Sequence, residues 1–245
     1  MNESHWIFFL ICLLLISFLY ASVGHGGASG YLALMALFGF SPDAMKPIAL
    51  LLNIVVASLS FFHFYQQRDF PKKLFFWLIV ASVTMAFIGG QMKLSDHLYK
   101  IILGLLLLIP TLRILIQSKQ EEKEIKPYSI AATILMGAGI GWVSGMIGIG
   151  GGIILSPLLL VLGWASMKQT AAMSAAFIVL NSISGLLGNQ QLASIQNERL
   201  ILFVVIAVAG GWLGSWFGSK KYNNYTLRLI LSIVLLMASC KLIWV

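Results

Sequence analysis

Ten apolar stretches, separated by short polar or glycine-containing breaks, cover almost the whole chain. Five of them span residues 6–21, 28–40, 43–65, 73–92 and 98–117, and five more span 128–146, 150–164, 170–190, 199–218 and 226–245. About 20 helical residues cross the hydrocarbon core of a bilayer, and most of these stretches come near that length. The pattern predicts an all-α polytopic membrane protein with about 8 to 10 membrane segments.

Composition and charge support this class. Of the 245 residues, 59% are hydrophobic and 10% are charged, which is too apolar for a soluble domain of this size. The formal net charge of +8 comes from bases in the connections, so it indicates membrane topology rather than nucleic-acid binding. The leading MNESH has no Lys or Arg, unlike a cleaved signal peptide, so we expect the first stretch to be retained as a span.

The two sets of stretches resemble each other. KIILGLLLLIPTLRILI matches RLILSIVLLMASCKLIW at an offset of 128 residues, and the same offset pairs Asn53 with Asn181. We predict two homologous halves: residues 1–117 form the first membrane repeat, 118–127 a charged cytoplasmic linker, and 128–245 the second repeat. With ten crossings, 11 Lys and Arg residues fall on one face and 5 on the other, which favours inverted repeats. If the two short stretches re-enter without crossing, the split is 9 to 7 and decides nothing.

A glycine cluster precedes the short second stretch of each set. GHGGASG begins at Gly24 and GIGGG begins at Gly148, and the stretches 28–40 and 150–164 are too short to span a bilayer comfortably. Consecutive glycines disrupt a helix, and a short helix that begins at such a break exposes unpaired backbone N–H groups and a positive dipole end. Two of these helix ends meeting near the midplane would bind an anion, as in many secondary transporters.

The candidate substrate-binding residues come from both breaks and from polar positions nearby. They are Gly24, His25, Gly26, Gly27, Ser29 and Asn53 in the first half, and Gly148, Gly150, Gly151, Gly152, Ser174 and Asn181 in the second. The two asparagines either bond between helices or donate amide hydrogens to the substrate. His25, whose counterpart is Ile149, either has a structural role or binds the anion or a coupling proton.

Two further sets of glycines predict helix packing instead of binding. They recur at four-residue spacing within apolar stretches, at Gly137, Gly141 and Gly145 and at Gly210, Gly214 and Gly218. Small residues at this spacing line one face of a helix and let a neighbouring helix approach closely.

The polar side chains predict neither an enzyme nor a metal or cofactor site. All eight acidic residues fall at the ends of stretches or between them, which argues against a carboxylate proton relay or a cation site within the membrane. The chain has no P-loop motif, HExxH motif or Ser–His–Asp arrangement, so we expect no ATP hydrolysis, no metal and no cofactor.

The second glycine cluster and its surroundings resemble the sulfite exporter TauE/SafE family. The motif is GMIGIGGGIILSPLLLVLG, over residues 145–163, followed by AAMSAAFIVLNSISG, and the resemblance covers nearly the whole chain. The second copy matches the family motif at its glycines, its proline and Asn181. In the first copy, His25 and Ala28 interrupt the glycine pattern, and Ala33 stands where the proline would be. The resemblance implies transport of small sulfur-containing anions such as sulfite, sulfonates, sulfoacetate or thiosulfate.

These observations together predict a secondary transporter that moves small sulfur-containing oxyanions by alternating access in a bacterial cell inner membrane. We expect the anion between the two breaks, held by the N–H groups of Gly26, Gly27, Gly151 and Gly152 and by both asparagine amides, with the halves rocking around it. Its partners would be the anion and the lipid bilayer, without nucleic acid, and the formation of a homo-oligomer stays open. The alternatives are an anion channel with the same site, or a non-transporting accessory or scaffold subunit.

Overall fold

The computed structural model describes residues 3–66, 70–92, 125–189 and 199–223, and positions 108, 225, 226, 229, 230, 233 and 236 outside those ranges. All regular structure in these residues is helical, which confirms the predicted all-α class. The first four helices are α1 (Glu3–Ser22), α2 (Ala28–Leu37), α3 (Pro42–Tyr65) and α4 (Lys72–Gly90). The next four are α5 (Ile130–Ile147), α6 (Gly152–Leu162), α7 (Met167–Gly188) and α8 (Leu200–Lys220). The predicted stretches 98–117 and 226–245 lie almost entirely outside the described residues.

Six of these helices are long and apolar enough to cross a membrane, namely α1, α3, α4, α5, α7 and α8. The other two, α2 and α6, have 10 and 11 residues. At about 1.5 Å per residue they are roughly 15–17 Å long, which is about half of the hydrocarbon core. Neither short helix is therefore long enough to cross the bilayer by itself.

Each short helix forms a hairpin with the long helix before it. The ring of Phe38, just after α2, packs against Phe9 near the start of α1, with 5.2 Å between ring centroids. In the second half, the N–H of Lys126, shortly before α5, donates to the carbonyl of Gly163 at the end of α6, over 2.8 Å. Each short helix thus returns to the face from which its hairpin started, and both hairpin tips lie inside the bundle.

The predicted packing role of the two glycine stripes is confirmed. A Cβ added at Gly137, Gly141 or Gly145 of α5 would collide with the carbonyl oxygens of Leu78, Ser82 and Ala86 of α4, respectively. A Cβ added at Gly210, Gly214 or Gly218 of α8 would collide with those of Leu14, Phe18 and Ser22 of α1. In both sets, successive glycines along one helix meet successive residues along the other. Helix α5 therefore runs parallel to α4, and α8 runs parallel to α1.

Corresponding helices of the two halves therefore run in opposite directions. Helix α1 and its parallel partner α8 start at one face, whereas α4 and its parallel partner α5 start at the other. This is the geometry that inverted repeats produce. The duplication itself and the boundaries at 117 and 128 stay predictions.

The described basic residues divide unequally between the two faces. The face at which α4 and α5 begin, which we call the lysine-rich face, carries Lys72, Lys73, Lys126, Lys168, Lys220 and Lys221. The opposite face, at which α1 begins, carries Lys46 and Arg199, and the Arg199 guanidinium lies 4.0 Å from the ring centroid of Trp6. Since basic residues accumulate on the cytoplasmic side, the lysine-rich face is the expected cytoplasmic one.

Candidate functional site

The two glycine-rich breaks meet in the interior of the bundle. His25, between α1 and α2, places its Nε2 3.1 Å from the carbonyl oxygen of Gly152 and 2.9 Å from the hydroxyl of Ser156. From the middle of α3, Asn53 reaches the second break and donates from Nδ2 to the carbonyl of Ile149 over 3.1 Å. All these groups are buried. The structure thus brings residues 24–27 and 148–152 into one polar cluster.

Backbone conformation and space explain why these segments are glycine-rich. Five of their glycines have a φ in the left-handed region: Gly24, Gly27, Gly148, Gly150 and Gly151. Residues with a Cβ rarely adopt this conformation. Space is also short, because a Cβ added at Gly26 would collide with the side-chain oxygen of Asn53. A Cβ at Gly150 would lie 2.8 Å from Asn53 Nδ2. The breaks are therefore tightly packed backbone, held around Asn53.

Several backbone N–H groups at these breaks are buried and unpaired. Within the described residues, the N–H groups of Gly26, Gly27, Gly151 and Gly152 have no hydrogen-bond partner. Buried backbone donors are nearly always paired, and the first N–H groups of a helix are the ones that have no partner in the helix itself. The beginnings of α2 and α6, which the contact between His25 and Gly152 holds together, therefore both carry free donors.

Asn53 and Asn181, which the sequence pairs, have different environments. The side-chain oxygen of Asn53 accepts from the N–H of Ala28, the first residue of α2, at 2.9 Å, while Nδ2 bonds Ile149 and, at 3.4 Å, the hydroxyl of Ser182. Asn53 therefore links both breaks to α3 and α7.

Asn181 lies outside the breaks. Its side-chain oxygen accepts from Ser82 of α4 at 2.7 Å, and its Nδ2 donates to the carbonyl of Phe177 in its own helix at 2.9 Å. The interhelical bond, one of the two predicted alternatives, is thus present for both asparagines. A substrate would have to displace these protein bonds in order to use either amide.

Hydroxyl groups extend the polar cluster. Ser174 of α7 lies 2.7 Å from Ser156 of α6, and Ser156 in turn contacts His25. Ser29 at the start of α2 lies 2.8 Å from the hydroxyl of Tyr20. The structure therefore connects the predicted Ser174 and Ser29 to the first break and to its neighbours.

The sequence missed four groups around the breaks. Tyr20 and Ser156 are described above, and Ser156 comes one helical turn after Gly152, a spacing that could have identified it. Ser144 is buried beside Gly151, and its hydroxyl has no hydrogen-bond partner among the described residues. Lys46 lays its side chain against the second break.

The side chain of Lys46 lies against Gly148 of the second break. A Cβ added at Gly148 would lie 2.7 Å from Lys46 Cγ, and the ammonium group donates to the carbonyl of Gly90 over 3.3 Å. The residue is half-buried, near the start of α3. Its long side chain reaches from the face of the bundle toward the site.

The space between the breaks is small. A cavity of about 10 Å³ is lined by the first break, by Tyr20 and by Ile149, Ile153 and Ile178, and this volume is about what one water molecule needs. A larger groove of about 630 Å³ lies elsewhere, on the lysine-rich face between Lys72, Lys126 and Trp164. Over the described parts of the chain, no three His, Cys, Asp or Glu side chains cluster as metal ligands would.

Comparison with known proteins identifies relatives over most of the chain. A family model described as "Sulfite exporter TauE/SafE" matches residues 9–242. The chain is 33% identical over 238 residues, 96% of each chain, to the "Probable membrane transporter protein y4hK" of Sinorhizobium fredii. It is 23% identical over 203 residues, 74% of this chain and 72% of the other, to the "Probable membrane transporter protein YunE" of Bacillus subtilis. No solved structure matches the chain significantly.

Proposed function

The chain belongs to the sulfite exporter TauE/SafE family of membrane transporters, and on this premise we propose that it is a secondary transporter of small sulfur-containing oxyanions that works by alternating access. The observation that carries the proposal is the pair of facing helix beginnings with unpaired, buried N–H groups. Such groups, together with the positive ends of two helix dipoles, favour the binding of an anion without requiring a charged side chain. Sulfur oxyanions present several acceptor oxygens to donors of this kind.

The observed arrangement is closed. The cavity of about 10 Å³ between the breaks has room for about one water molecule and not for an anion with three or more oxygen atoms. Substrate binding therefore requires the breaks to separate toward one face. Because α4 contacts α5 and α1 contacts α8 through backbone, these two pairs are the natural rigid bodies, and each mixes helices from both halves. Movement of one pair against the other would open the site to the two faces in turn.

A matched pair of glycine substitutions tests the site. Gly151 has φ +78°, and an added Cβ would lie 2.8 Å from Phe177 Cε1 and 2.9 Å from Ile140 Cγ2. Gly163, at the end of α6, has φ +71°, but the nearest atom to its added Cβ is Lys126 Cγ at 3.6 Å. Both substitutions by Ala cost about 1 kcal/mol or more of left-handed strain, while only Gly151→Ala also presses the break against side chains of α5 and α7.

Uptake of ³⁵S-labelled sulfite and thiosulfate into liposomes containing the purified protein gives the readout. We expect Gly151→Ala to lower the initial rate at least about tenfold and Gly151→Val to abolish uptake, with both variants still expressed. Gly163→Ala should stay within about twofold of the wild type. Wild-type rates in Gly151→Val would refute the assignment of the site.

Counterflow separates the transporter from the two alternatives. A transporter that exposes one site alternately should take up labelled thiosulfate faster when unlabelled thiosulfate is loaded inside. An anion channel with the same site would show no such acceleration. Absence of flux for sulfite, thiosulfate and small sulfonates would contradict the proposed substrate class and favour the accessory or scaffold role.

A further inference from the structure

The imidazole of His25 is enclosed in the site, and only one of its two ring nitrogens is hydrogen-bonded to the described part of the protein. The residue is 1% exposed, and within the described residues Nδ1 has no hydrogen-bond partner. The other ring nitrogen, Nε2, contacts both the carbonyl of Gly152 and the hydroxyl of Ser156. Buried polar atoms are seldom left unpaired, so the free Nδ1 requires an explanation.

The contact with Gly152 determines which nitrogen carries the hydrogen in the neutral ring. A carbonyl oxygen can only accept, so Nε2 must carry the hydrogen in order to donate to it over 3.1 Å. Ser156 can accept from the same N–H and donate onward to Ser174 over 2.7 Å. A neutral imidazole has one hydrogen, so Nδ1 is left with a lone pair and is a free base beside the cavity.

The polar groups around His25 supply no counter-ion. Ser156 of α6 contacts the ring, the ring of Tyr20 in α1 lies 6.5 Å away, and Ser29 of α2 lines the same cavity. One residue further out, Asn53 of α3 bonds Ala28 and Ser174 of α7 bonds Ser156. Tyr20 is the titratable group among them. No Asp, Glu, Lys or Arg is fully buried in the described part of the chain, and Lys46 contacts the second break and bonds to Gly90.

This environment makes the proton and the anion depend on each other. A protonated His25 without a bound anion would be a buried, uncompensated charge. A dehydrated anion beside a neutral ring would face the Nδ1 lone pair. Both states are unfavourable in free energy. When both are present, the new Nδ1–H donates to the anion and the charges offset each other.

We propose that His25 binds the proton that couples anion transport to proton movement, with Nδ1 as the acceptor atom. The inference rests on the proposed function and adds the coupling ion to it. The proton passes from water at the open face to the Nδ1 lone pair as the anion binds, and it returns to water with the anion at the other face, without any redox step. Because Ile149 stands at the equivalent position of the second half, the site takes one proton per transported anion.

A substitution that keeps the Nε2 contact tests the coupling. In His25→Gln the amide nitrogen can still donate to Gly152, but no basic atom replaces Nδ1. In liposomes with a pH gradient and a pH-sensitive dye, we expect the wild type to accumulate thiosulfate and to move one proton per anion. In His25→Gln, accumulation driven by the gradient should fall at least about tenfold, and any residual downhill flux should carry no protons.

His63→Asn is the matched control. His63 is also buried, and its Nδ1 lies 2.8 Å from Ser215 between α3 and α8, away from the breaks. An Asn keeps a polar atom near Nδ1, so we expect wild-type coupling in this variant. Accumulation by His25→Gln at the wild-type level, in response to the pH gradient, would overturn the inference.

A second measurement does not depend on transport. In protein labelled with ¹⁵N-histidine, the neutral ring signal that disappears in His25→Gln should be that of the Nε2–H tautomer, and adding thiosulfate should protonate it. A neutral ring with its hydrogen on Nδ1 would overturn the inference even if no sulfur oxyanion is moved. If the wild type moves none but shows the Nε2–H tautomer, only the proposed substrate fails.

Discussion

Replacing Asn53 by Ala should disrupt the site far more than the same change at Asn181. The side chain of Asn53 holds the N–H of Ala28 in one break and the carbonyl of Ile149 in the other. Asn181 bonds Ser82 and its own helix and reaches neither break. The two variants remove the same atoms from buried positions on two central helices, so they form a matched pair.

The magnitude follows from the bonds that are lost. Asn53→Ala leaves two buried backbone groups unpaired, each of which costs about 1–3 kcal/mol in soluble proteins. Interhelical bonds in membrane proteins are weaker, reaching at most about 1.7 kcal/mol, so a total of about 2 kcal/mol is reasonable. Ser182 can bond a carbonyl of its own helix and adds little. If the anion binds only the ordered breaks, 2 kcal/mol raises its apparent Kd by up to about 30-fold.

The assay is equilibrium binding of labelled thiosulfate to the purified protein in detergent, with thermal unfolding of both variants measured in parallel. Asn181→Ala should change the Kd by less than about threefold, even though its loss of Ser82 lowers thermal stability. Equal losses of affinity in the two variants would show that the asparagines act symmetrically and would refute this reasoning. A wild-type Kd in Asn53→Ala would refute it as well.

Two further predictions concern packing and charge. Gly141→Ala should destabilise the protein by about 1–3 kcal/mol because its Cβ meets the Ser82 carbonyl. Gly139→Ala on the same helix meets open space, so it should be neutral or stabilise by up to about 1 kcal/mol. Thermal unfolding measurements distinguish the two variants. Lys46→Gln should lower thiosulfate affinity about fivefold at low salt, a difference that shrinks at about 1 M salt, while Lys220→Gln on the opposite face should not. An effect of Lys46→Gln that is independent of salt would contradict an electrostatic role.

The positions of the helices and breaks could be predicted because their causes are local. Each described helix begins and ends within a few residues of its apolar stretch, since about 20 apolar residues are required to cross the bilayer. The breaks at Gly24 and Gly148 were visible because positive φ values and close backbone contacts both require glycine. The use of short, incomplete helices in both halves follows from the same local signal.

The different environments of the two asparagines could not be predicted from the similarity of the two sets of stretches. Asn181 bonds Ser82, but the residue that stands 128 positions later, Gly210, has no hydroxyl to offer Asn53. Asn53 bonds Ser182, whose counterpart is Ile54. The asparagines are paired in the sequence while their partners are not, so identical side chains have acquired different neighbours.

The contacts around His25 and Lys46 depend on tertiary structure in the same way. The hydroxyl of Ser156 and the carbonyl of Gly152 lie more than 120 residues after His25 in the chain, and the length of the Lys46 side chain carries it from the bundle surface to Gly148. Periodicity and spacing carry no information on such pairs. The sequence singles out the histidine, but it does not show that Nδ1 is unpaired.

The pairing of α1 with α8 has a consequence for how the protein is made. Leu14 and Gly210 touch through backbone, yet they are 196 residues apart in the chain. At a synthesis rate of about 5–20 residues per second, α1 spends roughly 10–40 s in the bilayer before its partner emerges from the ribosome. During that interval the surface of α1 that will contact α8 lacks its partner. Assembly of the bundle therefore cannot be completed before α8 has been synthesised, and a ribosome that stalls before α8 would leave an inserted but unfinished protein as a substrate for membrane proteases.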